Sequence, residues 1–246
     1  MRQTLDRSDG RSLQVRVTDG IGSRITAGEY PVGLPLPREA EFFAAYGVSR
    51  PVLREALKAL AAKGMIRARP RVGTVVLPRQ QWNLLDPDVL RWSTRTGDFE
   101  NLRQLTQVRL IVEPGAAELA AIEQDAERIR QLADAFERMV ARVGETASYL
   151  EADRDFHLAI LAASRNDYLI SIGSLISTSL QSSLRITNPT PRLNRASLGI
   201  HENILRRIEA GDGPGAARAS RIQLDDAMKR LTELGRRPAA RGRGRA

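Results

Sequence analysis

Only two histidines occur among the 246 residues, and both stand where they could hold a metal ion. His157 follows Asp153 by four residues, which puts both side chains on one face of a helix. His201 lies in a separate segment, Ser197-Leu198-Gly199-Ile200-His201-Glu202-Asn203-Ile204-Leu205. A pair on one helix and a third ligand on another can converge inside a bundle. Neutral imidazole with carboxylate suits Zn, Ni, Mn or Fe. The competing reading is two ordinary polar histidines with hydrogen-bond partners. Arg109 is the other residue with chemical promise. Glu113 stands four residues later, so an intrahelical ion pair worth roughly a few tenths of a kcal/mol accounts for it locally.

An Asp and two His can also activate water, which admits a metal-dependent enzyme. The sequence carries no nucleophile elbow, P-loop or His-Glu-x-x-His motif to support one. Cysteine is absent, which excludes disulfides and thiolate metal sites and fits a reducing compartment. No run approaches the ~18 consecutive apolar residues of a membrane span. Met1–Ser12 is polar and charged and has no apolar core of a secretory signal. The expectation is a cytoplasmic protein without a membrane partner.

The histidines need a helical frame, and the pattern supplies one. From Leu102 to Leu234 no convincing strand occurs. Leu102, Leu105, Val108 and Val112 have helical spacing, and further helices are expected over 115–122, 125–142, 146–164, 167–186, 195–210 and 214–234. Gly144, Asn188-Pro189 and Gly211-Asp212-Gly213 punctuate them. This reads as an all-α bundle of six or seven helices.

The net charge is +9, and it is concentrated at the two ends. Residues 1–78 hold 13 Lys/Arg against 7 Asp/Glu, and the tail Arg236–Ala246 holds five arginines and no acid. The stretch 79–235 is slightly acidic. The tail is biased in composition and expected to be disordered. A basic N-terminal module points to a polyanionic partner.

That module has the punctuation of a DNA reader. Leu13, Val17, Ile21 and Ile25 mark an amphipathic helix that Gly28 ends. A second helix begins near Pro37-Arg38-Glu39 and stops at Gly47. A third follows Ser49, a good N-cap, with Pro51 tolerated in its first turn, and runs to Gly64. Two short helices joined by a glycine turn read as a helix-turn-helix. Met65 to Val76 then reads as a basic hairpin, with strands at Ile66, Ala68, Val72 and Thr74–Val76 and a turn at Pro70-Arg71. A hairpin in that place is a wing.

The stretch LPLPREAEFFAAYGVSRPVLREALKALAAKGMIRARPRVGTVV resembles the N-terminal domain of GntR-family transcriptional regulators, over about residues 13–77. The resemblance implies that Arg50 and Arg54 enter the major groove, where a guanidinium fork matches guanine O6 and N7. It implies that Ser49 meets a phosphate and that Gly73 lets the wing backbone approach the minor groove. An arginine found early in the second helix of several members is matched here by Ala40, with Arg38 nearby as a DNA-binding candidate.

Residues 79–101 are expected to be a linker, with Trp82 and Trp92 packing either between two domains or in a core. The string QWNLLDPDVLRW resembles the segment after the wing in the FadR-type subfamily, in the branch of galactonate-responsive (DgoR-like) repressors. Further on, VRLIVEPGAAELAA, EADRDFHLAILAASRNDYL and SLGIHENILRRIEAGD resemble the FCD effector domain of that subfamily. Many members hold a divalent metal with one Asp and three His. Asp153, His157 and His201 match the first three positions, and the fourth falls on Gln223. The resemblance also turns Arg109 toward a cavity, as a clamp for a ligand carboxylate.

The expected fold is thus an N-terminal winged helix-turn-helix (α+β, residues 1–78), the linker 79–101, an all-α helical bundle effector domain (102–235) and the basic tail 236–246. The expected function is a homodimeric regulator, a repressor of sugar-acid (galactonate-like) catabolic genes. It would bind a near-palindromic double-stranded DNA operator and be released by a small carboxylate effector. The alternatives are a lactate, citrate or acyl-CoA effector and, in another class, the metal-dependent enzyme.

Overall fold

A computed structural model describes residues 12–95, 99–173, 177 and 190–236. The chain divides into two compact units, Met1–Gly97 and Asp98–Ala246. The expected tail falls outside the described residues from 237 onward, as does most of the helix expected over 167–186.

In the first unit, α1 (Leu13–Thr26) starts at Ser12, whose hydroxyl accepts from the Val15 N–H. Its buried stripe is Val17, Ile21 and Ile25, while Leu13 stays exposed at the helix start. Helix α2 (Glu39–Tyr46) closes on Gly47, whose φ of 63° is a left-handed cap that a side chain would strain. Helix α3 (Arg50–Ala62) follows, with Ser49 at its N-cap position and Pro51 in the first turn. Strands β1 (Ile66–Arg69) and β2 (Gly73–Val76) pair antiparallel from Ile66↔Val76 to Arg69↔Gly73. Val72 therefore lies in the turn and not in a strand, and it is exposed. The segment before α2 also pairs with β2, through Val76 N–H to Leu34 O and Leu36 N–H to Thr74 O. Prolines 35 and 37 hide that third partner from a strand-pattern reading.

The stretch expected as a linker behaves differently. A 3-10 turn (Arg79–Gln81) and helix α4 (Pro87–Arg95) belong to the first unit. Trp82 and Trp92 are buried in that unit's core with Val17, Ile21 and Leu60. Trp82 Nε1 donates to Leu77 O, and Trp92 Nε1 to Asp19. Lys63 reaches Asp86 and Asp88, and Arg91 reaches Asp19 and Asp88. These contacts bind α4 to α1 and to the end of α3, so the tryptophans fill a core. A Cβ added at Gly22 would sit 2.4–2.6 Å from the Trp92 ring. Gly22→Ala is expected to cost about 1–3 kcal/mol through overpacking, read as a lower denaturation midpoint. A midpoint equal to the parent's would show that α4 is not seated on α1.

The second unit is helical. It comprises α5 (Phe99–Glu123), α6 (Ala126–Ala141), α7 (Thr146–Ala163), the described part of α8 (167–173), α9 (Pro191–Glu209) and α10 (Gly213–Gly235). Asp125, Thr190 and Asp212 cap α6, α9 and α10 through their side-chain oxygens. With Pro191 just after its cap, α9 begins four residues before the expected 195. Helix α5 runs unbroken through Pro114, where a break was expected. An interior proline costs about 3 kcal/mol. Here Glu113, Pro114, Ala116 and Ala117 are all buried in the bundle, so packing overrides the local penalty. The architecture is a winged helix-turn-helix with a two-stranded sheet followed by an all-helical domain. No described helix is long and apolar enough to cross a membrane.

Candidate metal centre and nucleic-acid interface

Helix α5 turns an unusual face inward. Its buried positions include Leu102, Thr106, Arg109 and Glu113, continuing into Ala116, Ala117 and Ala120. Val108 and Ile111, apolar by sequence, point outward. Of the apolar positions that mark this helix, Leu102 is buried, Leu105 and Val112 are half-buried and Val108 is exposed, because the inner face also carries the polar groups of a site.

Across from that face, α7 presents Asp153 and His157, α9 presents His201 and α10 presents Gln223, all buried. Asp153 Oδ1 lies 3.3 Å from His157 Nε2 and 3.1 Å from His201 Nε2. Ligand atoms of Asp153, His157 and His201 all fall within 4.8 Å of one another. Phe156, a member of the apolar core, packs edge-on against both imidazoles. The four side chains named from sequence thus do meet in one place.

The outer nitrogen of each imidazole faces an oxygen acceptor. His201 Nδ1 is 2.8 Å from the Ser197 carbonyl, which can only accept, so the proton sits on Nδ1. His157 Nδ1 is 2.8 Å from Glu113 Oε2. Both rings therefore offer Nε2 to the centre, and each is oriented from outside as metal-bound histidines are. His201 Nε2 is buried and has no hydrogen-bond partner among the described residues. Each Nε2 stands 3.1–3.3 Å from a carboxylate oxygen, a spacing that a shared proton or a bound cation would hold. The immediate groups Arg109, Glu113 and Asp153 sum to one negative charge, which a cation would offset. By donor type, tautomer and charge, this set fits a metal ion.

Glu113 was read from the sequence only as the local partner of Arg109. The structure shows more. Arg109 Nε lies 2.5 Å from Glu113 Oε1, while Oε2 faces His157, so one carboxylate serves both groups. Burial pushes the Glu113 carboxyl up, but Arg109 and His157 outweigh it and hold it down at about 2. Burial likewise opposes ionisation of Asp153, yet His201 and His157 keep it far below the usual carboxylate range. For His157 burial disfavours the charged ring, and Glu113 and Asp153 reverse this and raise its pKa. Arg109 Nη1 is buried and has no hydrogen-bond partner among the described residues, so a donor remains available beside the centre. The signal for Glu113 was present in the sequence: an Arg-x-x-x-Glu pair in helical register with the small residues Ala116, Ala117 and Ala120.

In the first unit, Ser49, Arg50 and Arg54 are exposed at the start of α3. The Ser49 side chain makes no capping hydrogen bond, so its hydroxyl is not spent on the helix end. Arg50 Nε lies 3.1 Å from Glu39 Oε2, with both side chains well exposed. Glu55 is instead taken by Lys58, and Glu41 accepts from the Arg38 backbone N–H. Arg38 is exposed at the N-cap of α2. Gly73 has φ of 104°, and a Cβ there would meet nothing within 4 Å. The glycine is thus required by backbone conformation, and the space around it is open. Arg67 and Arg69 on β1 are exposed beside it.

Both parts of the chain match known families. Residues 13–76 match the gntR family of bacterial regulatory proteins, and residues 104–226 match the FCD domain. The galactonate operon transcriptional repressor of Escherichia coli K12 is 30% identical over 94% of this chain and 99% of its own length. An uncharacterized HTH-type transcriptional regulator of the same organism, YieP, is 33% identical over 87% of this chain and 93% of its own. Among solved structures, Listeria monocytogenes Lar matches with a TM-score of 0.67 at 18% identity, covering 92% of this chain and all of that one, a likeness of fold. The chain is a transcriptional regulator, not an enzyme, and belongs to the GntR family in its FCD-domain group.

Proposed function

We propose that this regulator is a cytoplasmic, homodimeric repressor of sugar-acid catabolic genes, released from its operator by a small carboxylate of the galactonate kind. The observation that carries the reading is end-to-end similarity to a galactonate operon repressor, in a chain whose FCD domain buries a cation-ready cluster beside Arg109.

At the DNA end, Arg50 and Arg54 read guanine edges in the major groove. Ser49 and Arg38 bind phosphates, and the open backbone at Gly73 approaches the minor groove. At the effector end, Asp153, His157 and His201 hold a divalent metal such as Zn, Ni, Mn or Fe, with Gln223 beside them. When bound, the metal supplies a Lewis-acidic anchor for a carboxylate and its neighbouring hydroxyl. Glu113 and the Ser197 carbonyl orient the two imidazoles. Arg109 turns its remaining N–H toward the effector carboxylate while Glu113 holds the guanidinium in place. Effector binding then favours the arrangement of the dimer that does not fit the operator.

The test is fluorescence anisotropy of the purified protein on DNA upstream of its own gene, at one fixed salt concentration. The panel holds aldonates, uronates, lactate, citrate and an acyl-CoA. Release by an aldonate supports the reading. Specific binding that only lactate, citrate or acyl-CoA relieves replaces the sugar acid with that effector, and binding that nothing relieves removes the effector role. Arg109→Lys keeps the charge opposite Glu113 but loses the fork. It is expected to raise the half-release concentration roughly 10- to 100-fold, the worth of one hydrogen bond to a charged group. An unchanged half-release concentration would mean that Arg109 does not touch the effector.

A further inference from the structure

We infer that Gln223 is a fourth ligand of the buried centre and sets its metal preference, biasing it toward an oxygen-seeking ion such as Mn2+ over Ni2+ or Zn2+. The inference rests on the metal-holding reading above.

Gln223 reaches the cluster from α10 with 7% of its surface exposed, and its Nε2 lies 3.4 Å from His157 Nε2. Its Oε1 is buried with no hydrogen-bond partner among the described residues. An unsatisfied buried amide oxygen costs free energy unless something fills it. The two ends of a carboxamide have nearly the same shape, and a half-turn about the last side-chain torsion exchanges them. In the orientation described, the amide NH2 stands 3.4 Å from His157 Nε2, as does Arg109 Nη2, and can donate to that nitrogen when it carries no proton. After the half-turn, the carbonyl oxygen faces the same point. One side chain therefore serves both the metal-free and the metal-bound centre.

The choice of donor has a chemical consequence. With Gln223 the centre offers two imidazole nitrogens, a carboxylate and a neutral carbonyl oxygen. Carboxylate and carbonyl ligands suit Mn2+, while added imidazole favours Ni2+ and Zn2+. The amide also adds no charge. A divalent ion therefore keeps a positive surplus over the immediate residues, and an anionic effector can take it up.

The experiment measures Mn2+ and Ni2+ affinity by competition with a chromophoric chelator, on metal-stripped full-length protein. It compares the parent with Gln223→His and Gln223→Glu, and thermal melting checks that each variant folds. Gln223→His is expected to raise Ni2+ affinity by at least roughly tenfold, the effect of even an outer-sphere partner, with Mn2+ affinity nearly unchanged. Gln223→Glu is expected to raise Mn2+ affinity instead. If Gln223→His moves both metals equally, or if neither variant moves either metal, the inference falls while the three-residue site stands. If no protein of the set binds either ion, the metal-holding reading falls and takes this inference with it.

Discussion

Glu113→Ala is expected to lower the unfolding free energy by about 3–5 kcal/mol, because it strands a buried guanidinium. Arg109 and Glu113 have side chains only 3% and 1% exposed and form a pair inside the bundle. Removing one partner leaves the other charge desolvated and uncompensated, which costs far more than the pair contributes. Urea unfolding followed by far-ultraviolet circular dichroism measures the loss. A double variant, Arg109→Met with Glu113→Leu, is expected to recover most of it, since apolar replacement of a buried pair is often neutral or stabilising. Such a rescue would show that the pair is kept for the site and not for stability.

The same residue gives a pH signature with a definite sign. The folded carboxyl of Glu113 is held down at about 2, below its ordinary 4.5, by Arg109 and His157 against the effect of burial. A depressed folded pKa contributes stability that is fully present above the unfolded value and lost as pH falls through the folded one. The contribution should therefore fade between about 4.5 and 2. Asp153, also depressed, acts in the same direction. The parent should lose stability across this window more steeply than Glu113→Ala. Identical slopes, or a Glu113→Ala protein within about 1 kcal/mol of the parent, would refute the buried pairing.

In the first unit, Arg50→Ala is expected to cost about 1–3 kcal/mol at the operator and to relax discrimination at one base pair. Its guanidinium is exposed at the start of α3, beside Glu39. An exposed pair of this kind is worth at most about 1 kcal/mol, so Glu39 does not prevent the arginine from turning to DNA. Glu39→Gln should accordingly tighten operator binding only slightly. Binding measured at fixed salt on the operator and on single-base variants separates the possible roles. A uniform loss on all sequences would make Arg50 a phosphate contact, and no loss would remove it from the interface.

Local chemistry made much of this protein legible. The left-handed glycines 28, 47 and 64 follow the ends of α1, α2 and α3 where the sequence marks them. A spacing of four put Asp153 and His157 on one face of α7, because helix geometry is set within a turn. The motif run from Leu36 to Val76 carried the winged helix-turn-helix through caps and turns that are each decided by near neighbours.

What the tertiary structure decided lies where distant segments meet. Glu113 already had a complete local explanation in Arg109, and nothing within α5 announces that His157 of α7 stands opposite. The inner face of that helix was legible only in part, at Leu102, because Thr106, Arg109 and Glu113 interrupt the apolar pattern that burial normally writes. Pro114 ends a helix by local rules and does not end this one, because burial on both sides outweighs a missing hydrogen bond. Trp92 reads as part of a linker until Gly22, seventy residues earlier, provides the gap that receives its ring. Side-chain spacing along a helix is a property of the backbone and travels with the sequence. The partner across a core depends on how several helices pack at once, and only the folded chain determines that.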